Sequence, residues 1–330
     1  MVISDYATLG IGLLLLVAGA IGLYHAAMAF AARAGLPPLV VGLTIVGWGT
    51  SAPELAFNIA SALRDKPALV LGSVAGSNAF LLGPMLGLCA ILLPVGISSR
   101  VVRDSLPVLL SLVLFIGMAI FRIGAELPNP RIFPTLLLLV FLVYAISTVR
   151  LAFRRGSEME PLAMDAAEAA ALRTRYGAGR IVVTFLIAIA MLIVGGELAS
   201  SGAFGVATAL KTEPRVLAAT IVSVATTLPE LALVGIAIWR RHADLAVGTI
   251  LGSCIFNAGL VFGTCGLITP IASPTSTPKS FVTLAILSVV AVGLVQSRAS
   301  WLTRLLGLVA IVVYGGYFYI AIRQVFGSMN

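Results

Sequence analysis

The sequence predicts an all-α polytopic membrane protein in which ten transmembrane helices form two inverted-topology repeats of five helices each. Three observations predict this class: an apolar composition, a series of apolar runs long enough to span a bilayer, and a pair of motifs that recurs at a constant distance along the chain. The first two indicate the number of helices, and the third indicates how the two halves are related.

The composition excludes a soluble domain. Of 330 residues, 60% are hydrophobic and 10% are charged, and the mean hydropathy is +1.10. Membrane-spanning helices need this much apolar surface, whereas a soluble domain does not. Lys and Arg in cytoplasmic loops account for the net charge of +8. The basic stretches are short and lack interleaved aromatic residues, so we expect a lipid bilayer and no nucleic acid as partner.

Ten apolar runs of about 20 residues each are bounded by charges or by Gly and Pro clusters. The predicted spans are 8–32, 38–63, 68–94, 104–121, 132–152, 180–201, 215–239, 244–269, 280–297 and 301–322. Gly and Pro residues interrupt the second, third, seventh and eighth spans. A membrane tolerates such interruptions only where the freed backbone groups find other partners.

The distribution of Lys and Arg predicts the orientation. One set of alternate connections holds thirteen of these residues and the other set holds eight. The richer side, which includes residues 153–179, is expected to be cytoplasmic, so both termini are expected to be extracytoplasmic. The predicted division is a first five-helix repeat at 1–152, a cytoplasmic linker at 153–179 and a second five-helix repeat at 180–330. The stretch Pro161–Tyr176 is rich in helix formers and predicts a short helix within the linker.

An internal duplication supports the division into two halves. "LTIVGWGTSAPELA" (Leu43–Ala56) matches "ATIVSVATTLPELA" (Ala219–Ala232), and "LGSVAGSNAFLLG" (Leu71–Gly83) matches "VGTILGSCIFNAG" (Val247–Gly259). Residues 41–83 and 217–259 share 15 identities in 43 positions at a constant offset of 176. Shared Leu, Ile, Val and Ala alone do not explain the matching Thr, Pro, Glu, Gly and Ser. Because each half has an odd number of spans, the second copy enters the membrane from the opposite face, an arrangement typical of transporters.

Three of the thirteen acidic residues fall within predicted spans: Glu54, Glu230 and Glu197. Glu54 and Glu230 occupy equivalent positions of the two motifs, and Glu197 lies near one end of its span. A charge at the bilayer centre costs roughly 2.5–3.5 kcal/mol even on insertion scales. No Lys or Arg is predicted at the same depth, so the pair is either protonated or bridged by a cation. Two carboxylates balance one divalent ion, and a hard, oxygen-seeking ion such as Ca²⁺ fits them.

Hydroxyl groups accompany both carboxylates. Thr50 and Thr226 each precede the glutamate by four residues, a spacing that places the two side chains on one helix face. Pro53 and Pro229 remove an amide donor and free backbone carbonyls in the preceding turn. Ser77 and Ser253 add hydroxyls from the neighbouring interrupted spans. The alternative for each hydroxyl is a hydrogen bond to the backbone of its own helix. Together these groups make an all-oxygen site, unsuited to zinc or copper.

The remaining reactive residues do not indicate a catalytic site. Cys89, Cys254 and Cys265 lie in apolar runs without CxxC spacing and are expected to be small core residues. His242 follows Arg240 and Arg241 and is expected to be a solvated loop residue. No HExxH motif is present, and neither histidine is placed to pair with a motif serine. We therefore expect no enzymatic activity and no cofactor.

The paired motifs resemble the α-repeats of the cation/Ca²⁺ antiporter superfamily, particularly the prokaryotic sodium/calcium exchangers. "GTSAPE" with "GSN", echoed by "TTLPE" with "GSCIFN", carries the resemblance. It covers the plan of all ten spans and is specific in 41–83 and 217–259. It implies exchange of Na⁺ for Ca²⁺ by alternating access, with the first and sixth spans sliding across the core. It also implies a bacterial or archaeal inner membrane and a functional monomer.

The resemblance assigns the ion ligands by position: Glu54 and Glu230 as central ligands, Thr50, Thr226, Ser77, Ser253 and Asn257 as side-chain oxygen ligands, and Gly47 and Ser223 through their carbonyls. The family places a polar or acidic side chain four residues after each motif serine. Those positions are Leu81 and Asn257 here, so one position cannot coordinate a cation and the site lacks a third carboxylate. The alternative function is an H⁺-coupled exchanger of Ca²⁺ or another cation that uses the same glutamates.

Overall fold

The computed structural model describes residues 2–93, 130–155, 166–209, 227–271, 278–297 and 299–327. The helices of these ranges are α1 (Val2–Ala34), α2 (Pro38–Thr50), α3 (Ala52–Leu63), α4 (Pro67–Phe80), α5 (Leu86–Leu92), α6 (Ile132–Arg155), α7 (Ala166–Arg175), α8 (Ala178–Ala209), α9 (Leu228–Trp239), α10 (Ala243–Ile255), α11 (Phe262–Ile268), α12 (Pro278–Gln296) and α13 (Ser300–Gly327). Wider π-helical turns lie inside α2 at Gly42–Val46, between α4 and α5 at Leu81–Met85, and between α10 and α11 at Phe256–Val261.

The described helices confirm the class of all-α, multi-pass integral membrane protein. Six of them, counted with their continuations through π turns, are long and apolar enough to cross a bilayer. The bent pair α2 and α3 makes a seventh if it is one span. The fourth predicted span, 104–121, lies outside the described residues, as does the first half of the seventh. The count of ten spans stays a prediction.

Helix boundaries recur at the same offset of 176 as the sequence motifs. α3 and α9 begin and end at equivalent positions, as do α5 and α11, and α8 begins 176 residues after α1. The described non-glycine residues with positive φ are Asp65 (53°) and Arg241 (61°), which are also 176 positions apart. Such a backbone conformation is uncommon outside glycine. The duplication is therefore present in local backbone geometry as well as in residue identity.

The two longest counterparts, α1 and α8, pack against each other in antiparallel directions. Gly202 of α8 lies against Leu9 near the start of α1. Further along α1, Gly19 lies against Ala188, which is near the start of α8. A Cβ added at Gly202 would collide with the backbone of Leu9, so the absence of a side chain permits this close approach. Only 28% of the apolar window of each helix is buried, which leaves most of both surfaces for lipid.

The continuous rod formed by α10 and α11 is the centre of the molecule. Of its apolar window, 94% is buried, against 17% for α13. The backbone of α2 packs directly on α10, because a Cβ added at Gly248 or Gly252 would collide with the carbonyls of Leu39 or Leu43. This contact brings the interrupted helix of the first half against the central helix of the second half.

The predicted linker helix is confirmed as α7, and it docks onto the rest of the chain. The Arg173 Nε donates to the carbonyl oxygen of Ala32 at 2.6 Å. The expectation that His242 is solvated is wrong: its side chain is 12% exposed and its Nε2 lies 3.5 Å from Glu168 Oε1. The sequence did not reveal that α7 folds back over the turn between α9 and α10. The three cysteines are buried, as expected of core residues.

Candidate functional site

Glu54 and Glu230 occupy the same position in the first turns of two equivalent helices. α3 starts at Ala52 and α9 starts at Leu228, so each glutamate is the third residue of its helix and follows a proline. Proline is accepted there because the first-turn amides have no partner within the helix. The unpaired amides and the helix dipole make the start of a helix a favourable place for a negative charge.

The chain bends immediately before Glu54. α2 ends at Thr50, Ser51 has φ −86° and ψ 7°, and α3 leaves at 45° to α2. Thr50 and Glu54 therefore belong to separate helices, and the expectation that their side chains share one helix face stays a prediction. The Thr50 hydroxyl donates to the carbonyls of its own helix, to Val46 at 3.1 Å and to Gly47 at 3.2 Å. Thr50 is nevertheless buried beside the bend.

Hydroxyl groups from both halves reach the Glu230 carboxyl group. Ser51 Oγ donates to Glu230 Oε1 at 2.8 Å, and Ser253 Oγ lies 3.5 Å from the same oxygen. The Ser253 hydroxyl also donates to the carbonyl oxygen of Gly47 at 3.1 Å. The structure thus brings Glu230, Ser253 and Gly47 together, although Gly47 and Glu230 belong to different halves.

Ser51 is a residue that the sequence analysis missed. A hydroxyl residue stands three positions before the glutamate in both motifs, Ser51 in the first and Thr227 in the second. That shared position was the available signal. Its importance became visible only with the bend at residue 51, which turns the Ser51 side chain towards the opposite half.

The Glu54 carboxyl group lies in the same buried region. It is 1% exposed, Glu230 is 0% exposed, and Ser51, three residues before Glu54, contacts Glu230. Within the described part of the chain, neither oxygen of Glu54 has a hydrogen-bond partner, and neither has Glu230 Oε2. Buried acceptors normally have a donor or a cation beside them. Three such oxygens in one place indicate a ligand-binding site.

Three asparagine side chains are buried on or next to the helices that carry the candidate ligands. Asn257 lies in the π turn after α10, and both its amide oxygen and its amide nitrogen are buried without a partner among the described residues. Asn78 Nδ2 donates to the carbonyl oxygen of Cys254 at 3.4 Å, and Asn58 Nδ2 donates to the carbonyl of Glu54 at 2.7 Å. The sequence analysis named Asn257 but missed Asn58 and Asn78, because an amide in an apolar run is a weaker signal than a carboxylate.

Of the other expected ligands, some lie within the described residues and some lie outside them. Ser77 is buried on α4, at 2% exposure, and its counterpart Ser253 is fully buried on α10. Thr226 and Ser223 lie outside the described residues. Leu81 is fully buried in the π turn equivalent to that of Asn257, so the first half presents a hydrocarbon side chain where the second half presents an amide.

The chemistry of the site favours a hard cation. Among the described residues, Glu54 and Glu230 are the buried carboxyl groups, and no Lys, Arg or His is buried with them. The same ranges contain no cluster of three or more His, Cys, Asp or Glu residues that would suit a transition metal. Carboxylate, hydroxyl, amide and carbonyl oxygens are the ligands of Na⁺ and Ca²⁺.

Comparison with known proteins identifies the family and the fold. The model of the family described as "Sodium/calcium exchanger protein" matches residues 4–152 and 180–323. The chain is 32% identical over 267 residues to inner membrane protein YrbG of Escherichia coli, with 80% of each chain covered. It is 26% identical over 298 residues to the sodium/calcium exchanger MaX1 of Methanosarcina acetivorans, with 82% of this chain and 85% of that protein covered. Structures of the sodium-calcium exchanger NCX_Mj share the fold; one, soaked without Na⁺ and Ca²⁺, has a TM-score of 0.79 at 23% identity, covering 98% of this chain and 100% of that one.

Proposed function

Because the chain belongs to the sodium/calcium exchanger family of cation transporters, we propose that it is a secondary active antiporter that exchanges Na⁺ for Ca²⁺. The observation that carries the proposal is the pair of buried carboxyl groups, Glu54 and Glu230, which lie in one buried region linked through Ser51 and have no buried Lys, Arg or His among the described residues. A divalent cation or two monovalent cations would neutralise this pair. The name of the relative MaX1 supports Na⁺ and Ca²⁺ as the two substrates.

The proposed ion ligands come from both halves. Glu54, Glu230, Ser51, Ser253 and the Gly47 carbonyl form the part of the site that is linked by hydrogen bonds or charge. Thr50 at the end of α2, Ser77 in α4 and Asn257 in the π turn after the central helix are proposed as additional oxygen ligands because all three are buried. Thr226 and Ser223, the counterparts of Thr50 and Gly47, remain proposed ligands from their sequence positions.

An inverted repeat is proposed as the frame of this site. α1 and α8 are counterparts that run antiparallel, which is the relation expected when one half is inserted upside down relative to the other. The proposed domains are the repeats 1–152 and 180–330, joined by the cytoplasmic linker 153–179, with both termini extracytoplasmic. The inner membrane location of YrbG is consistent with an inner-membrane protein.

Alternating access is proposed to involve movement of α1 and α8 together across the core. These two helices make their most extensive packing with each other, through glycines that permit close backbone contact. Most of their remaining surface faces outward. A helix pair that is firmly joined internally and lightly attached elsewhere can move as a unit and expose the carboxyl pair to one side of the membrane at a time.

The function is tested with the full chain in proteoliposomes. Vesicles loaded with Na⁺ are diluted into Na⁺-free medium with radiolabelled Ca²⁺, and uptake is compared with that of vesicles without a Na⁺ gradient. We expect uptake to require the Na⁺ gradient and to survive a proton ionophore. Ca²⁺ uptake that is independent of the Na⁺ gradient and is lost with the pH gradient would show that H⁺, not Na⁺, is the coupling ion.

A further inference from the structure

We propose that Asn58 and Ser73 form an outer cation-binding site, one helical turn from Glu54, on the approach from the membrane face that carries the turn between α3 and α4. The inference rests on the proposed exchange of Na⁺ and Ca²⁺, and it adds a site that holds either cation before the cation reaches the carboxyl pair. It follows from a hydrogen bond between α3 and α4, from the buried amide oxygen of Asn58, and from the different side chains at the equivalent positions of the second half.

The facing surfaces of α3 and α4 carry polar side chains at two levels. Glu54 and Asn58 are four residues apart on α3, so they lie on one helix face, about 6 Å apart along the axis. Ser73 and Ser77 have the same spacing on α4. The Asn58 Nδ2 donates to Ser73 Oγ at 3.2 Å, which places these two side chains at one level. Because a turn of three residues reverses the chain between α3 and α4, Ser77 lies on the Glu54 side of this contact.

The amide oxygen of Asn58 is available to a cation. The Asn58 Nδ2 donates to the backbone carbonyl of Glu54 at 2.7 Å as well as to Ser73, and because a carbonyl only accepts hydrogen bonds, this contact identifies the amide nitrogen. The Asn58 side chain is buried, and its Oδ1 has no hydrogen-bond partner within the described ranges. A buried amide oxygen normally has a donor or a cation beside it. Asparagine oxygens are among the ligands of hard cations.

The equivalent positions of the second half do not form such a site. Val234 occupies the position of Asn58 and is buried. Thr249 occupies the position of Ser73, is fully buried, and donates its hydroxyl to the carbonyl of Leu245 in its own helix at 2.8 Å. Ser73, in contrast, is half-buried and contacts the facing helix. The outer site therefore belongs to the first half alone.

Neutral oxygen ligands suit a site that a cation must leave again. A cation that moves from water to the buried Glu54 exchanges its hydration shell for protein oxygens, and a site part of the way along lowers the cost of that exchange. Conduction requires binding that is favourable enough for entry but weak enough for release. The amide and hydroxyl oxygens of Asn58 and Ser73 meet this condition, and they lie one turn from a carboxyl group whose two oxygens have no hydrogen-bond partner among the described residues.

The outer site is tested by the reactivity of a cysteine in place of Ser73, since the three native cysteines are buried. The full chain with Ser73→Cys is reconstituted in proteoliposomes and exposed to a charged, membrane-impermeant methanethiosulfonate reagent in choline, Na⁺ or Ca²⁺ medium. We expect modification in choline of the molecules whose α3–α4 turn faces the reagent. Na⁺ or Ca²⁺ at about ten times its half-protecting concentration should slow the modification about tenfold, because an occupied site excludes the reagent. Thr249→Cys, at the equivalent position, is the matched control and should stay unmodified.

Each other result of this experiment contradicts a part of the inference. A Ser73→Cys chain that stays unmodified would show that no aqueous path reaches the outer site, and modification that is insensitive to both cations would show a path without a binding site. Protection that is lost when Glu230→Gln is added would assign it to the central carboxyl pair. Each of these results would overturn the inference and leave the proposed function intact, whereas a wild-type chain without Na⁺-dependent Ca²⁺ uptake would overturn the proposed function.

Asn58→Val supplies a second measurement that needs no cysteine. Ca²⁺ uptake is followed in right-side-out and in inverted membrane vesicles that hold the full chain. Loss of the amide oxygen should raise the half-saturating Ca²⁺ concentration about fivefold from the face of the α3–α4 turn and change it less than about twofold from the opposite face. An equal change from both faces, or no change from either, would overturn the outer site.

Discussion

The two halves of the molecule present the same carboxylate in the same helical turn, yet they surround it differently. Glu230 receives the Ser51 hydroxyl at 2.8 Å and has Ser253 at 3.5 Å, whereas neither oxygen of Glu54 has a hydrogen-bond partner among the described residues. One turn further along, the first half has Asn58, which donates to Ser73 Oγ at 3.2 Å. The equivalent position of the second half is the apolar Val234.

This difference shows that the two halves share the carboxylate but not the neutral polar groups, although their sequences are duplicated. The carboxylate is present in both halves, as the proposed binding of a divalent cation requires. The neutral polar groups are divided between the halves: Asn58 and Asn78 belong to the first, and Asn257 belongs to the second. The neutral polar groups of the two halves consequently differ. Substitutions at equivalent positions of the two halves should therefore have unequal effects.

The largest expected effect comes from removing one of the carboxylates that the two halves share. Glu54→Gln and Glu230→Gln each remove half of the charge that balances Ca²⁺. Loss of even an outer partner of a metal ligand costs about 10–100-fold in affinity, so each variant should lose at least ~100-fold in Na⁺-dependent Ca²⁺ uptake. Glu197→Gln is the matched control, because Glu197 lies in a spanning helix but is exposed. Full uptake by either glutamine variant would remove the site assignment.

The second effect concerns the contact between the counterparts α1 and α8. Gly202→Ala places a methyl group against the backbone of Leu9, so the helices must separate. Such overpacking costs about 1–3 kcal/mol, and we expect a lower midpoint of thermal unfolding in detergent together with slower exchange. Gly10→Ala is the control, since no atom lies within 4 Å of the added Cβ. Equal midpoints for the two variants would contradict the close approach.

The sequence predicted the features that depend on residue type and spacing. Glu54 and Glu230 were identifiable because a carboxylate is rare in an apolar run, and the linker helix α7 because its residues favour helix. Ser51 was missed because its contact with Glu230 depends on the 45° bend, which is a product of tertiary packing. His242 was misjudged for a similar reason: the Glu168 side chain beside it arrives from a distant segment of the chain.

Ser51 gives the third prediction and tests the contact that links the halves. Ser51→Ala removes the hydroxyl that donates to Glu230. A hydrogen bond to a charged group contributes about 1.5–3 kcal/mol, so we expect the apparent affinity for Ca²⁺ to fall about tenfold or more. Ser61→Ala is the control, because the Ser61 hydroxyl donates to the carbonyl of Phe57 in its own helix. If both variants have the same affinity, Ser51 is not part of the site.

The fourth prediction concerns the position one turn beyond each carboxylate, where the first half has Asn58 and the second has Val234. Asn58→Val gives the first half the residue of the second and removes the amide that donates to the Glu54 carbonyl at 2.7 Å. A neutral hydrogen bond contributes about 1 kcal/mol, so we expect a loss of about fivefold in the rate of Ca²⁺ uptake. Thr249→Val is the control in the second half, since the Thr249 hydroxyl donates to Leu245 of its own helix. A larger loss of Ca²⁺ uptake rate in Thr249→Val than in Asn58→Val would contradict the proposal that Asn58 contributes to transport.

The smallest effect is expected at the linker, the segment that joins the two compared halves. Glu168 contacts His242 at 3.5 Å, but its side chain is 40% exposed, so water and salt screen the interaction. Exposed ion pairs contribute about 0–1 kcal/mol, and Glu168→Gln should leave the exchange rate within about twofold of wild type. The Arg173 hydrogen bond to Ala32 would still hold α7 on α1 in this variant. A tenfold or greater change in rate would instead show that α7 restrains the movement of α1 and α8, which would add the linker to the transport cycle.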